Sequence, residues 1–166
     1  VVQWKPDEQS SISIQRLMNK PLLKSGVELD RTLNTMFVLT SLPVGGAETL
    51  LQNLVRTLDR KRIRPLVCCL KEAGELGEQM SADVPLFSRL LRGKYDAFVL
   101  QRLAKLFRRE AIDAVVTVGA GDKMFWGRLA ARLARVPVVL SALHSTGWPD
   151  GVGRMNRWLT PLTDGF

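Results

Sequence analysis

The chain has 166 residues, of which 46% are hydrophobic and 24% are charged, with a formal net charge of +8. This length fits one domain of ordinary size, and the modest charged fraction excludes a disordered polyelectrolyte or a histone-like tail. No apolar run approaches the roughly 20 residues that cross a bilayer, and the N-terminus lacks the form of a signal peptide. The only cysteines are the adjacent Cys68 and Cys69, which cannot staple a small secreted fold and which indicate a reducing compartment. We therefore expect a cytoplasmic protein that is soluble or at most peripheral on a membrane.

Residues 1–34 carry polar and turn residues around short apolar pairs and have no sustained period. We interpret them as an N-terminal extension that precedes the domain or wraps over it, with the domain itself at residues 35–166. The chain begins without Met and stops at Gly165-Phe166, directly after an apolar segment. These ends are typical of a piece taken from a longer protein.

Five short apolar runs in the domain predict β-strands. They are 36–39, 66–70, a weaker run at 84–87, 114–118 and 138–143. Because their hydrophobicity is continuous and not alternating, we expect strands that are covered on both faces, as in a parallel sheet between helices. Neighbouring side chains of a strand point to opposite faces, so Cys68 and Cys69 should point apart.

Three stretches between these runs have the helical period. Apolar stripes run from Ala47 to Leu58, from Leu100 to Phe107 and from Trp126 to Ala134, and Asp122 is placed to cap the third helix. Strands that alternate with helices predict an α/β fold, a Rossmann-like open twisted sheet that is mostly parallel and has helices on both faces. Ligands of such sheets bind beyond the carboxyl ends of the strands, which selects the loops 41–46, 71–77, 119–122 and 144–150.

The first of these loops ends in Gly45-Gly46, immediately before a predicted helix. Paired glycines let the backbone approach a ligand and expose N–H groups at the positive end of the helix dipole, which suits a phosphate or sugar oxygen; alternatively they only make a tight turn. Glu48 lies in the first helical turn, where the dipole alone stabilises a carboxylate by about 0.3–1 kcal/mol. The sequence has neither a G-x-G-x-x-G fingerprint nor a P-loop, so a dinucleotide enzyme and a P-loop NTPase are not favoured.

His144 is the only histidine and follows the last predicted strand. Its imidazole can exchange hydrogen bonds with a ligand hydroxyl near neutral pH, although a lone histidine is more often structural. No G-x-S-x-G elbow is present to support a serine triad. One histidine and two adjacent cysteines do not match a metal-ligand spacing either. We therefore expect neither a metal nor a bound cofactor.

Basic residues concentrate in two segments, with five between Arg56 and Arg64 and seven between Arg89 and Arg109. A solvated helix face is the default explanation. An anionic membrane surface is the first functional alternative, because each charge can add about 1 kcal/mol of attraction there. Nucleic acid is not expected as a partner, because we expect no exposed aromatic residues among the charges and no recognised binding module is present.

Seven motifs follow one another along the chain. They are the apolar strand 36–41, Gly45-Gly46-Ala47-Glu48, Asp113-Ala114-Val115-Val116, Gly127-Arg128-Leu129-Ala130-Ala131, Val136-Pro137-Val138-Val139, His144 and Leu162-Thr163-Asp164. In this order they resemble the N-terminal, acceptor-side domain of family-4 glycosyltransferases of the GT-B fold. The resemblance covers residues 35–166.

The resemblance implies a retaining transferase that works without a metal, in a cleft between two Rossmann-like domains. The donor would be a nucleotide-sugar, and the acceptor a sugar, a lipid-linked molecule or a polysaccharide. The C-terminal donor-binding domain, which in the family carries a Glu-x7-Glu motif, is absent from this sequence, so we expect the domain to be inactive on its own. A peripheral attachment to the inner face of an anionic membrane would then be a role for the basic helices.

By position, the resemblance places Gly45 and Gly46 at the donor diphosphate or the acceptor, with Glu48 orienting their loop. His144 would hydrogen-bond the transferred sugar or the acceptor near the reacting centre. Gly119 and Asp122 lie in a loop that would line the cleft, where many family members have histidines instead. The alternative is a non-catalytic Rossmann-like binding or scaffold module, in which Gly45-Gly46 is only a turn, His144 is structural and the basic faces dock a partner.

Overall fold

A computed structural model describes residues 31–93, 96–119, 124–142 and 160–164. Strands and helices alternate along these residues. They are β1 (Leu33–Leu39), α1 (Gly46–Thr57), β2 (Ile63–Cys69), α2 (Gly74–Met80), β3 (Leu86–Phe87), α3 (Val99–Arg109), β4 (Ala114–Val118), α4 (Met124–Ala134), β5 (Val138–Ala142) and a single 3-10 turn at Thr160–Leu162.

The five strands form one sheet in the order β3-β2-β1-β4-β5, and all neighbouring pairs are parallel. The predicted fold class, a Rossmann-like open parallel sheet, is confirmed. The strand order reverses between β1 and β4, where Val38 is aligned with Thr117. At such a switch point the chain leaves in opposite directions from two adjacent strands, which opens a crevice at their carboxyl ends.

Both faces of the sheet are covered, as the continuous apolar runs predict. On one face Met36, Val38 and Cys68 pack in a cluster with α3 and α4. On the other face Phe37 and Cys69 pack with α1 and α2. Cys68 and Cys69 therefore do point apart, and burial raises the pKa of both thiols, that of Cys69 to about 12. Both are neutral thiols at pH 7, which makes them core residues and not nucleophiles.

The elements differ from the predicted ones at several points. Strand β1 begins at Leu33, three residues before its apolar run, because pairing with β2 starts there. Helix α2 was not predicted and occupies part of the expected loop 71–77, since seven residues are too few to display a helical period. The stripe on α1 is only partly buried, because the structure leaves Leu50 57% and Leu54 46% exposed. No helix in the described segments is long and apolar enough to cross a membrane.

Two polar networks stabilise the sheet, one at the amino end of β4 and one beside β5. At the amino end of β4, Asp113 accepts hydrogen bonds from both terminal nitrogens of Arg31, at 2.9 and 2.6 Å, and from the Asn34 N–H at 3.0 Å. Burial alone would raise the pKa of Asp113, but these hydrogen bonds and the attraction to Arg31 bring the pKa below its usual value. Beside β5, Asp164 accepts from the Val139 N–H at 2.8 Å and donates its own N–H to the Val139 carbonyl at 2.7 Å.

Candidate functional site

Residues 40–46, which we call the glycine loop, join β1 to α1 at the carboxyl edge of the sheet. Leu42 is fully buried and anchors the loop in the core. Its N–H donates to the Ala73 carbonyl at 3.0 Å, and its carbonyl accepts from the Leu76 N–H at 3.2 Å. The Lys71 N–H also donates to the Thr40 carbonyl at 2.9 Å. The conformation of the glycine loop is therefore set by the neighbouring loop between β2 and α2.

Gly74 is what allows this close approach. Its φ is +74°, and a Cβ atom at this position would lie 2.5 Å from the Leu42 carbonyl oxygen. A backbone atom cannot move aside as a flexible side chain can, and a positive φ is strained for other residues. Sequence reasoning missed Gly74. The available signal was a glycine three residues into the loop that follows β2, but the helix that begins there is too short to be recognised from the sequence. Gly74 supports the glycine loop without belonging to it.

Gly45 and Gly46 differ in what their missing side chains permit. The backbone of Gly45 is extended, but a Cβ there would lie 2.4 Å from Glu48 Oε2. The Glu48 carboxylate is therefore folded back over the start of α1. A Cβ on Gly46 would meet nothing within 4 Å, and Gly46 is exposed. The space above Gly46 is open in the described structure, which is the condition for a ligand to reach the backbone.

Backbone hydrogen-bond donors adjoin this open space. The Thr49 N–H donates to the Gly45 carbonyl at 2.9 Å, which is the first bond of the helix. The N–H groups of Gly46, Ala47 and Glu48 precede that bond and have no intrahelical acceptor. They lie at the positive end of the α1 dipole, close to the Glu48 carboxylate. Donors and an anionic acceptor side by side suit a ligand hydroxyl, which both accepts and donates.

Gly119 lies on the other side of the switch point. It directly follows β4 with a φ of +106°, and its N–H donates to the Ala142 carbonyl at 3.0 Å. A Cβ there would also meet nothing within 4 Å. Since β1 and β4 are adjacent, the structure brings Gly119 to the same edge as the glycine loop. This positive φ favours a glycine at position 119, whether or not the residue contacts a ligand.

Two predicted site residues, Asp122 and His144, lie outside the described residues. Strand β5 ends at Ala142, which is aligned with Val118 of β4, so the chain leaves this strand at the same carboxyl edge two residues before His144. Val44, in the glycine loop, is 66% exposed and was missed as a candidate. An exposed branched side chain beside open backbone donors is a candidate apolar contact for a ligand.

Helix α4 packs close beneath the switch point. A Cβ on Gly127 would lie 3.0 Å from Thr117 Cγ2 and 3.2 Å from Val38 Cγ1, so this glycine lets the helix approach both central strands. The next residue, Arg128, is fully buried, and burial lowers the pKa of its guanidinium. Its terminal nitrogen Nη1 lies 3.5 Å from Thr163 Oγ1. The motifs at 127–131 and 162–164 are far apart in the sequence, and each resembles the family by itself. The structure brings these two motifs into contact.

A metal centre is not formed by the described residues, which contain no group of three or more histidine, cysteine, aspartate or glutamate side chains that could hold an ion.

The comparison with protein families matches residues 44–166 to Glycosyltransferase Family 4. The match starts inside the glycine loop and includes every strand after β1. The chain belongs to Glycosyltransferase Family 4. This match confirms the family that the sequence motifs predict. None of the curated proteins matches it.

Solved structures with the same fold include an O-GlcNAc transferase and two proteins described as UDP-N-acetylglucosamine 2-epimerases. A mutant O-GlcNAc transferase of Thermobaculum terrenum is 16% identical, with a TM-score of 0.55, over 69% of this chain and 22% of that one. A UDP-N-acetylglucosamine 2-epimerase is 17% identical, with a TM-score of 0.56, over 80% of this chain and 40% of that one. A protein of Listeria monocytogenes assigned to the same epimerases gives the same identity and TM-score over 37% of its length. The family-4 domain thus spans less than half of each of these proteins.

Proposed function

We propose that this domain is the acceptor-side half of a retaining glycosyltransferase, which transfers a sugar from a nucleotide-sugar to a sugar, lipid-linked or polysaccharide acceptor. The observation that carries the proposal is the open backbone at Gly46, at the start of α1 and beside the sheet's switch point. Membership of Glycosyltransferase Family 4 supports the reaction class. The neighbours that share the fold include proteins named for acting on UDP-N-acetylglucosamine or transferring O-GlcNAc.

In this proposal the glycine loop binds hydroxyl groups of the reacting sugars. The N–H groups of Gly46 and Ala47 donate to a sugar oxygen, and Glu48 accepts from the same or a neighbouring hydroxyl. A diphosphate at this point would face the negative charge of Glu48, so the arrangement favours the neutral sugar over the phosphates of the donor. Gly119 and Asp122 line the facing side of the cleft, and His144 bonds the transferred sugar or the acceptor.

The donor nucleotide is held by a second domain, in keeping with the small share of the similar structures that this chain spans. The reaction uses no metal or cofactor, and the domain does not turn over alone. The protein acts in the cytoplasm and attaches peripherally to the inner face of the membrane. The surplus of positive charge supports that attachment.

The test uses the complete gene product that contains this domain. Release of nucleoside diphosphate from a panel of nucleotide-sugars is measured with and without acceptor, for wild type, Gly46→Leu and His144→Ala. We expect both variants to lose acceptor-dependent release while the fold is retained. Unchanged release in both variants would refute the site, and no release from any donor by the wild type would refute the transferase.

A second candidate, a non-catalytic binding or scaffold module, is favoured by one observation. Leu50 and Leu54 are about half exposed on α1, where a partner protein could cover them. If this role is correct, Leu50→Ser with Leu54→Ser abolishes partner binding while Gly46→Leu has no effect. If the domain is part of a transferase, Gly46→Leu abolishes the release of nucleoside diphosphate, and Leu50→Ser with Leu54→Ser leaves this release unchanged.

A further inference from the structure

A groove of about 490 Å³ lies on the flank of the domain, between the edge strand β3 and helix α3. Its floor is apolar and is made by Phe87, Leu90 and Leu106, whereas the Leu86 side chain packs with α2 on the other face of the sheet. Because β3 is the last strand on this side of the sheet, no further strand covers the floor within the described part of the chain. We call this feature the lateral groove. It is separate from the glycine loop, which follows a central strand.

Three cations of α3 form the rim of the lateral groove. Arg102 is already occupied, because it contacts the Asp96 carboxylate and donates to the Leu90 carbonyl at 2.9 Å. The Arg109 guanidinium lies 5.6 Å from the centre of the Phe87 ring and 3.0 Å from Glu110 Oε1. Lys105, between them, is exposed and forms none of the ion pairs found among the described residues. Among the described residues, Lys105 is therefore the rim cation most available to an external anion, and the exposed Arg109 beside it shares its charge with Glu110.

Phe98 extends this row at the start of α3. At 100° per residue, Phe98, Arg102, Lys105 and Arg109 fall on one face of the helix. Phe98 is 66% exposed, so an exposed aromatic residue does lie among these charges, contrary to the expectation from the sequence. The apolar face of α3 is buried in the domain core, so the helix does not lie on a membrane by that face. Its exposed face instead combines one apolar ring with cations, the residue types by which peripheral proteins contact the apolar and anionic layers of a membrane surface.

We propose that the lateral groove binds an anionic phospholipid at the bilayer surface. Lys105 and Arg109 hold the phosphate, the apolar floor accepts the first carbons of the acyl chains, and Phe98 enters the interfacial layer. The apolar floor distinguishes this occupant from a free phosphate, which would need only the charges. The inference rests on the membrane attachment proposed above and not on sugar transfer, so lipid binding and transfer can fail separately.

The test is co-sedimentation of the intact chain with vesicles. Phosphatidylcholine vesicles with about 30 mol% phosphatidylglycerol, in salt of about 0.1 M, are compared with pure phosphatidylcholine. We expect binding to the anionic vesicles only. Lys105→Gln with Arg109→Gln should weaken partitioning about thirtyfold, from about fivefold for each charge near the surface.

A matched control removes the same charge elsewhere. Arg60 and Arg62 are exposed in the other basic segment. Arg60→Gln with Arg62→Gln should weaken partitioning much less than Lys105→Gln with Arg109→Gln does, because salt screens charges that lie away from the contact surface. Phe98→Ser should also weaken partitioning into the anionic vesicles. The salt dependence of the partitioning should stay unchanged, because this substitution removes no charge. Melting temperatures of all variants establish that they are folded.

Three results would overturn the proposal. Equal losses in the two double variants would mean a diffuse charge effect without a site. Saturable binding of glycerol phosphate with the affinity seen for vesicles would mean a soluble phosphate ligand. Binding of a single-stranded oligonucleotide, with no vesicle binding by the wild type, would mean nucleic acid.

Discussion

Gly46→Ala should make the protein more stable and less active. A methyl group at this position meets no atom within 4 Å, and the residue is the first of α1, so the native structure accommodates alanine without strain. Replacing glycine restricts the unfolded chain, which is worth about 0.4–1 kcal/mol in favour of folding. For a chain of this size the melting temperature should rise by about 1–4 °C.

The same methyl group stands in the space through which a ligand would reach the backbone donors. Loss of a hydrogen bond to a neutral sugar hydroxyl costs about 0.5–1.5 kcal/mol, which corresponds to about a 2- to 13-fold decrease in kcat/KM. The assay is acceptor-dependent release of nucleoside diphosphate by the complete gene product, together with thermal unfolding of each variant.

Gly93→Ala is the matched control. A Cβ at Gly93 also meets nothing within 4 Å, its φ is not positive, and it lies outside the glycine loop. We expect the same small gain in stability and no change in kcat/KM. If Gly46→Ala is stabilised and remains fully active, Gly45-Gly46 is only a turn and the proposed site is wrong.

The remaining predictions concern the scaffold. Gly74→Ala should destabilise the fold by about 1–3 kcal/mol from its positive φ alone, before any displacement of Leu42, and urea unfolding that leaves the variant as stable as wild type would contradict the packing described. Asp113 has a lowered pKa when folded, so its stabilising effect is present above the unfolded value of about 3.9 and is lost as the pH falls through the lower folded value. The melting temperature of Asp113→Asn should therefore lie below wild type at pH 7 and approach it toward pH 3, whereas a constant gap would exclude the ion pair as the cause. Cys68 and Cys69 should react with a thiol reagent at pH 7 only as fast as the protein unfolds, and rapid labelling of the native protein would show that they are accessible.

The fold could be predicted because its strongest signals are local. Each strand with both faces buried has a continuous apolar run, and β4 begins and ends where its run does. Helix α2 was missed because its seven residues include two glycines, and neither Gly74 nor Gly77 favours a helix by propensity. Gly74 is selected by its positive φ and its contact with the Leu42 backbone, and no local pattern reports a contact between residues 32 positions apart.

The candidate site was predictable in part for a related reason. Gly45 and Gly46 precede a helix, and that local context already points to a ligand. The half-exposed Leu50 and Leu54 could not be separated from the buried Leu51 and Val55, because an apolar stripe records which face is hydrophobic and not how much of it is covered.

The alignment of Val38 with Thr117 joins two strands that are 79 residues apart in the chain. Strand β2 pairs with β1 after one intervening helix, α1. Strand β4 also pairs with β1, but α2, β3 and α3 lie between β2 and β4 in the chain. Closing this long loop is the entropically expensive step of assembling the sheet. During synthesis, the glycine loop and the turn at Gly119 therefore meet only after Gly119 itself has left the ribosome. A fragment that ends before β4 keeps every residue of the glycine loop and has only one wall of the crevice.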